Sequence, residues 1–401
     1  MKTSECIQKS EQYLLHTYNR APVVWERGEG VRLYDADGKE YLDFAAGIAV
    51  YALGYGNPAY REALKDQIDK IIHTSNLYYN VPQAEAAEKL VKASGMSKVF
   101  FTNSGTEAIE GAIKAARKYA YLRDGSTDHE IIAMRQSFHG RSLGALSVTG
   151  NDHYQEPFKP LIGGIRFADF NDLDSVKAQV TDKTCAIILE TVQGEGGIFP
   201  GTREFLEGIR KLCDERDILM ILDEIQCGMG RTGTLFAHWH DQIVPDIVTL
   251  AKALGGGFPI GAMLAGPKVA EAMQFGAHGS TFGGNPLAAA VARVALRKLA
   301  SREVAGNVSR QSAALRAGLE AINQDLGLFS QIRGRGLMLG AQLGPAHAGR
   351  AGEVLDRAAA HGLLMLQAGP DVLRFVPALT INDAEVAEGL ARLRQALSAL
   401  A

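Results

Sequence analysis

The sequence predicts an α/β protein: a mostly parallel central sheet with helices, joined by a smaller α+β part assembled from both chain ends. Three observations carry that expectation. Apolar runs without alternation recur between residues 98 and 251, as strands covered on both faces require. Helical stretches separate those runs, and alternating strand and helix build a parallel sheet. The length of 401 residues exceeds one ordinary core, so two domains sharing one body are expected.

Taken in order, residues 3–18 read as a short amphipathic helix with Ile7, Tyr13 and Leu14 on one face. VVWERGEGVRLYDADGKEYLDF follows, with three β-rich runs divided at residues 27–30 and at the turn 35–38. From about residue 60 the strand candidates are KVFFT (98–102), EIIAM (130–134), CAIILE (185–190), DILMILD (217–223) and DIVTLA (246–251). After Gly284 a long helical stretch leads into strands near 331–343, 362–367 and 372–376, and a helix over 383–400 closes the chain. The expected division is a large domain over 59–295, with 1–58 and 296–401 making the smaller one.

Composition narrows the function. With 46% apolar and 22% charged residues the chain is neither disordered nor fibrous. A net charge of −3 argues against nucleic acid or an anionic membrane as the main partner. The opening MKTSECIQKSEQYLL has no long apolar run, and no uncharged stretch reaches membrane-spanning length. Cys6, Cys185, Cys213 and Cys227 form no C-x-x-C pair and no set with histidines, so reduced thiols, a cytoplasmic location and no metal site are expected.

Two glycine-rich segments compete as phosphate sites. Gly228-Met229-Gly230-Arg231-Thr232-Gly233 matches G-x-G-x-x-G, but Asp223 to Cys227 intervene after the strand, and TLFAHWHDQIVPD is no amphipathic helix. It reads as an ordinary glycine loop. KVFFTNSGTEAIEGAIKAARKYA is strand, loop and helix, with Ala108, Ile109, Ala112, Ile113 and Ala116 on one stripe. Asn103, Ser104, Gly105 and Thr106 there lie at the positive end of a helix, which favours an anion. The alternative is a plain N-cap. Lys252 closes another apolar strand before Gly255-Gly256-Gly257, and Asp223 closes a third. In open α/β sheets ligands bind outside the carboxyl ends of strands. A phosphate cradle, an amine and a carboxylate on one rim are the inventory for pyridoxal phosphate, although a lysine ending a strand is often only solvated.

At these residues the chain resembles the class III aminotransferases of fold type I, and within them the acetylornithine/succinylornithine aminotransferases. The matching stretches span nearly the whole sequence: LDFAAGIAV, FFTNSGTEAIEGAIKAARKY, FHGRSLGALSVTG, VQGEGG, LDEIQCGMGRTG, AKALGGGFPIGA, HGSTFGGNPLA, IRGRGLMLGA and AGPDVLRFVPAL. The resemblance implies pyridoxal 5′-phosphate as cofactor, bound as a Schiff base by Lys252, with Asp223 on its ring nitrogen. It implies Ser104, Gly105 and Thr106 at the phosphate, Phe138 and Ile225 on the two ring faces, and Gln226 near the ring hydroxyl. Thr281 is implied to reach the phosphate of a neighbouring subunit, hence a homodimer with shared sites. Arg141, with the partner's Ser280 beside it, is implied to take the substrate α-carboxylate. Arg374 and Glu195 match an arginine and its carboxylate partner; a permanent salt bridge is the alternative reading of that pair.

The implied reaction passes the terminal amino group of N-acetylornithine to 2-oxoglutarate. Succinylornithine, succinyldiaminopimelate and other ω-amino acids remain alternative substrates. The chain departs from the family pattern at Thr191, Tyr51, Tyr55 and Asn57, which bears on acyl-group preference rather than on the chemistry.

Overall fold

The computed structural model describes residues 2–398 and 400. Seven strands form the central sheet, in the order Lys98–Thr102, Gly261–Ala265, Ile247–Leu250, Leu219–Asp223, Thr184–Glu190, Glu130–Met134 and Ile165–Ala168. All run parallel except Gly261–Ala265, which is antiparallel to both its neighbours. Five of these strands match the apolar runs. The run predicted from 217 starts as a strand at Leu219, because Asp217 is the left-handed C-cap (φ 50°) of helix Arg203–Arg216.

Two strands were not legible. Ile165–Ala168 is a four-residue edge strand with only Ala168 fully buried. Gly261–Ala265 reads GAMLA, a composition poor in β-branched residues, and its first residue shows why. A Cβ on Gly261 would lie 2.3 Å from the Ser104 carbonyl oxygen and 2.4 Å from the Thr102 hydroxyl. This strand is glycine-led because the Ser104 loop rests on its backbone.

Each face of the sheet buries its own set. Ile131, Ala133, Ile188 and Ile221 pack with Ile109, Ala112, Ile113 and Ala116, the predicted stripe of helix Gly105–Asp124. Ile132, Ile187, Leu189 and Met220 point the other way, onto Phe205, Leu206 and Ile209 of helix Arg203–Arg216. Alternate residues of one strand thus fill two cores, as the period of two demands. Fully burying each such side chain is worth roughly 1.5–3 kcal/mol.

The two chain ends share one small sheet. Trp25–Glu29, Arg32–Asp35 and Glu40–Asp43 form a meander, and Leu363–Leu364 adds a parallel fourth strand beside Leu42 and Asp43. A second sheet orders Phe329–Arg335, Met338–Leu343, Val372–Phe375 and Leu366–Gln367. Residues 27–29, expected to divide two runs, lie inside the first strand; a Cβ on Gly28 would meet the Tyr55 ring at 2.6 Å. The N-terminal helix stops at Tyr13 rather than 18 and buries no residue. The closing helix runs Asp383–Leu397; of its expected extension to 400, Ala399 lies outside the described residues.

Gly261→Ala is expected to destabilise the protein by about 1–3 kcal/mol, since backbone rather than a flexible side chain must yield. Thermal unfolding of the variant checks this, and an unchanged midpoint would show that the Ser104 loop moves aside freely.

Candidate active site

Five strands deliver their carboxyl ends to one rim, and the segments leaving them surround a cavity of about 410 Å³. Ser104, Gly105 and Thr106 follow the Lys98–Thr102 strand, Phe138 and Arg141 follow Glu130–Met134, and Ile225 and Gln226 follow Asp223. Lys252 lies two residues beyond Leu250, and Val50 closes the wall from the N-terminal segment. The sequence brings most of its predicted site to one place.

The N-cap reading of the NSGT loop holds, and the loop also lines the cavity. Ser104 is the N-cap, its Oγ accepting from Glu107 N at 3.3 Å, while Asn103 donates from N (2.8 Å) and Nδ2 (2.9 Å) to Glu107 Oε2. The Gly105 and Thr106 N–H groups belong to the first turn, which has no helical carbonyls to bond. Gly105 and Thr106 both line the cavity. A Cβ on Gly105 would stand 2.8 Å from Ile225 Cδ1, so glycine lets that side chain close the loop.

Asp223 is buried and fully engaged. Its Oδ1 accepts from Ile225 N (3.0 Å) and Thr249 Oγ1 (3.1 Å), and its Oδ2 lies 2.7 Å from His139 Nδ1. His139 Nε2 is buried without a partner among the described residues. One strand over, in register with Asp223, sits Glu190. Its carboxylate accepts from Gly194 N (3.0 Å) and Phe138 N (3.2 Å), tying together the segments that carry Glu195 and the predicted stacking ring. Burial, opposed by His139 and aided by Asp223, pushes its pKa up to about 7. Sequence reasoning missed both groups. The rule that selected Asp223, a carboxylate ending a central strand, selects Glu190 equally, and His139 stands beside Phe138.

Lys252 occupies the left-handed region (φ 44°), strained for a residue with a Cβ. Its side chain is half-buried at the cavity wall, and desolvation lowers its pKa, with Glu195 and Asp223 opposing and Arg374 reinforcing. A less protonated amine is a better nucleophile. Its loop is braced by Tyr60, which donates to Gly255 O (2.7 Å) and accepts from Phe258 N (2.9 Å). Ala46, Gly47, Ile48 and Ala49, next to Val50, also have φ between 47° and 65°. Strain collects on two segments that border the cavity.

Arg374 and Glu195 form an ion pair, with Nη1–Oε1 at 2.5 Å and Nη2–Oε2 at 3.3 Å. Burial would raise the Glu195 pKa, but Arg374 more than reverses this and holds it below the ordinary range. Gln226 is the third member: its Oε1 accepts from Arg374 Nη1 at 3.2 Å and its Nε2 donates to Glu195 Oε1 at 3.4 Å. The amide expected at a ring hydroxyl is therefore engaged with the ion pair. Arg141 is exposed, its guanidinium 3.8 Å from the Tyr154 ring centroid and 5.6 Å from that of Phe138.

Ser280 and Thr281 do not join this cavity. They line a second one of about 800 Å³ with Tyr79, Asn80 and His278, and Thr281 is exposed. Of the departures from pattern, Asn57 caps helix Pro58–Ile68, and the Thr191 hydroxyl lies 3.2 Å from Cys227 Sγ. Tyr55 donates to Asp43 Oδ2 at 2.7 Å. Tyr51 alone nears the site, its ring packed on Gly257. The GMGRTG loop is structural: Arg231 is buried and donates to the carbonyls of Leu337 (3.0 Å) and Pro377 (2.5 Å).

Glu190 makes stability pH-dependent. Its folded pKa of about 7 exceeds the ordinary 4.5, so the folded state binds the extra proton between those values. Its contribution is fully present below about 4.5 and is lost as pH rises through about 7. Glu190→Gln is expected to flatten this part of the curve, removing a decline of up to about 3 kcal/mol. Unfolding midpoints of both proteins from pH 5 to 8 (roughly the window set by that pKa) check it; parallel curves would contradict it.

The comparisons agree with the geometry. The family profile of Aminotransferase class-III matches residues 13–397. The acetylornithine aminotransferase of Xanthomonas campestris is 61% identical over 390 residues, covering 96% of each chain. The succinylornithine transaminase/acetylornithine aminotransferase of Pseudomonas aeruginosa is 47% identical over 390 residues, covering 97% of this chain and 96% of its own. The crystal structure of N-acetylornithine aminotransferase from Stenotrophomonas maltophilia aligns with a TM-score of 0.86 at 54% identity, covering 98% of this chain and 99% of that one. With its parallel-rich sheet and the site at the sheet's carboxyl rim, the chain belongs to the class III aminotransferases, pyridoxal-phosphate-dependent transaminases of fold type I.

Proposed function

We propose that the protein transfers the terminal amino group of N2-acetyl-L-ornithine to 2-oxoglutarate, giving N-acetyl-L-glutamate 5-semialdehyde and glutamate. The names of its relatives favour acetylornithine as one of the two substrates. The observation that carries the chemistry is a half-buried amine, a buried carboxylate and a helix N-terminus around one cavity. Succinylornithine is the second reading, favoured by the name of the Pseudomonas relative.

The residues present fit pyridoxal phosphate. The Gly105 and Thr106 amides and Ser104 would hold its phosphate, Asp223 its ring nitrogen, Phe138 and Ile225 its faces, and Lys252 its aldehyde carbon. When bound, the cofactor supplies an electron-withdrawing ring conjugated to the reacting carbon. Asp223 keeps a proton on the ring nitrogen: a carboxylate ~4 Å from a cation at effective dielectric ~20 is worth about 4 kcal/mol, roughly three pKa units. His139 and Thr249 hold that carboxylate in place. The Lys252 amine, when free, would take up and return a proton at the substrate carbon.

Arg141 would take the α-carboxylate of the acylornithine. Glutamate and 2-oxoglutarate bring a second carboxylate beside the reacting carbon, and Arg374 is the cation for it. In this reading Glu195 neutralises Arg374 in the first half-reaction and releases it in the second. An unpaired buried arginine would otherwise oppose the uncharged chain of the acylornithine.

The same reading places the protein in the cytoplasm as a homodimer. No described helix is long and apolar enough to cross a membrane. Leu77, Tyr78, Tyr79 and Phe282 are exposed around the second cavity, an apolar surface suited to a second copy. Thr281 and Ser280 would then serve the partner's site. The division into a 59–295 domain and a smaller one from 1–58 and 296–401 belongs to this proposal.

Lys252→Ala is expected to abolish turnover while still binding the cofactor noncovalently; absorbance after gel filtration, with a coupled glutamate assay, checks both. Asp223→Asn is expected to cut kcat by a factor above about a hundred, corresponding to ~3 kcal/mol of barrier. A variant within tenfold of wild type (roughly 1.4 kcal/mol) would contradict the role given to Asp223.

A further inference from the structure

If Glu195 releases Arg374, its carboxylate needs somewhere else to go. A bare carboxylate left in a half-buried site is costly, so a switch of this kind needs a second cation within reach of the first. The backbone around Glu195 limits what can move. Gly194 N is held by Glu190, a Cβ on Gly196 would lie 2.4 Å from the Gln136 carbonyl, and Gly197 O accepts from Arg333 Nε at 2.8 Å. The loop is pinned before and after Glu195, which leaves rotation of the side chain.

Both Glu195 and Arg333 line a separate cavity of about 600 Å³, which Lys252 does not line. Arg333 is buried, yet it forms no ion pair among the described residues. Its Nη1 donates to the neutral oxygens of Gln331 (2.9 Å) and Gln342 (2.6 Å), and its plane lies on the Phe199 ring with Cζ 3.8 Å from the centroid. Its Nη2 has no hydrogen-bond partner among the described residues, and a Cβ on Gly197 would lie only 3.1 Å from it. The other carboxylate on this wall, Asp371, is already engaged by Gly349 N at 2.5 Å.

We propose that Arg333 is a positioning residue that receives the Glu195 carboxylate when a dicarboxylate substrate claims Arg374. The inference rests on the reading of Glu195 and Arg374 given above. In it, Glu195 alternates between two arginines: Arg374 while an acylornithine is bound, Arg333 while glutamate or 2-oxoglutarate is bound. Glu195 and Arg374 then each keep a charged partner in both half-reactions.

Glutarate, a five-carbon dicarboxylate that cannot react, is the probe, with affinity measured by calorimetry on the cofactor-loaded enzyme and both half-reactions followed in single turnovers. Arg333→Met is expected to weaken glutarate about tenfold, because Glu195 then competes for Arg374, and to slow the glutamate half more than the acylornithine half. Adding Glu195→Gln to that variant is expected to restore glutarate affinity to the level of Glu195→Gln alone, a rescue that a mere prop would not give. Arg333→Lys, which keeps the charge, is expected to keep most of the affinity. If Glu195→Gln fails to rescue Arg333→Met, Arg333 only braces the loop and the proposal falls. If Glu195→Gln alone fails to tighten glutarate, the release of Arg374 is itself wrong, and the proposal falls with it.

Discussion

A carboxylate buried at the end of a sheet strand has to be satisfied from several directions at once, and the site is organised around how Asp223 meets that demand. Its neighbour strand supplies Thr249, its own loop supplies the Ile225 amide, and the segment after Glu130–Met134 supplies His139. Those bonds fix three of the walls between which a ring has to fit. Glu190 extends the same logic one strand further, using its two oxygens to hold the Phe138 and Glu195 segments together. Such buried polar networks are costly when half-satisfied, which makes their geometry narrow and their alignment reproducible.

Much of this was legible in the sequence because parallel strands bury both faces. Runs such as EIIAM and CAIILE have no polar alternation to obscure them, and their carboxyl ends mark where a ligand binds. Lys252, Asp223 and the Ser104 loop follow from that rule. GAMLA did not, since its residues are chosen for close backbone approach rather than for strand propensity. Glu190 and His139 were missed because nothing local separates a carboxylate or imidazole that faces a cavity from one that faces a core. The engagement of Gln226 with both Glu195 and Arg374 depends on side chains 31 and 148 residues away, which no local pattern encodes.

The helix expected over 3–18 forms but stops at Tyr13, for a different reason. Its amphipathic face exists, but Tyr13, Leu14 and Leu15 stay exposed among the described residues. Periodicity reports a face that can be buried, and the burial itself has to come from elsewhere in the chain or from another copy. The same holds for Leu77, Tyr78 and Tyr79, whose exposure makes sense as half of a contact.

The pairing of Leu363–Leu364 with Leu42 and Asp43 has a consequence for synthesis. Some 320 residues separate the partners, a difference read from their positions, and Phe44 O accepts from Val376 N in the same place. Contacts of such long sequence separation close late. During translation the central sheet can be assembled while the first fifty residues (roughly the segment ending at Val50) still wait for a strand that the ribosome has not yet made. The nascent chain therefore holds Lys252, Asp223 and the Ser104 loop well before it holds Arg374 or a docked Val50. In the proposed reading, the pair that tells one substrate from the other is then completed last, and a prematurely terminated chain would hold Lys252 without Arg374 or a docked Val50.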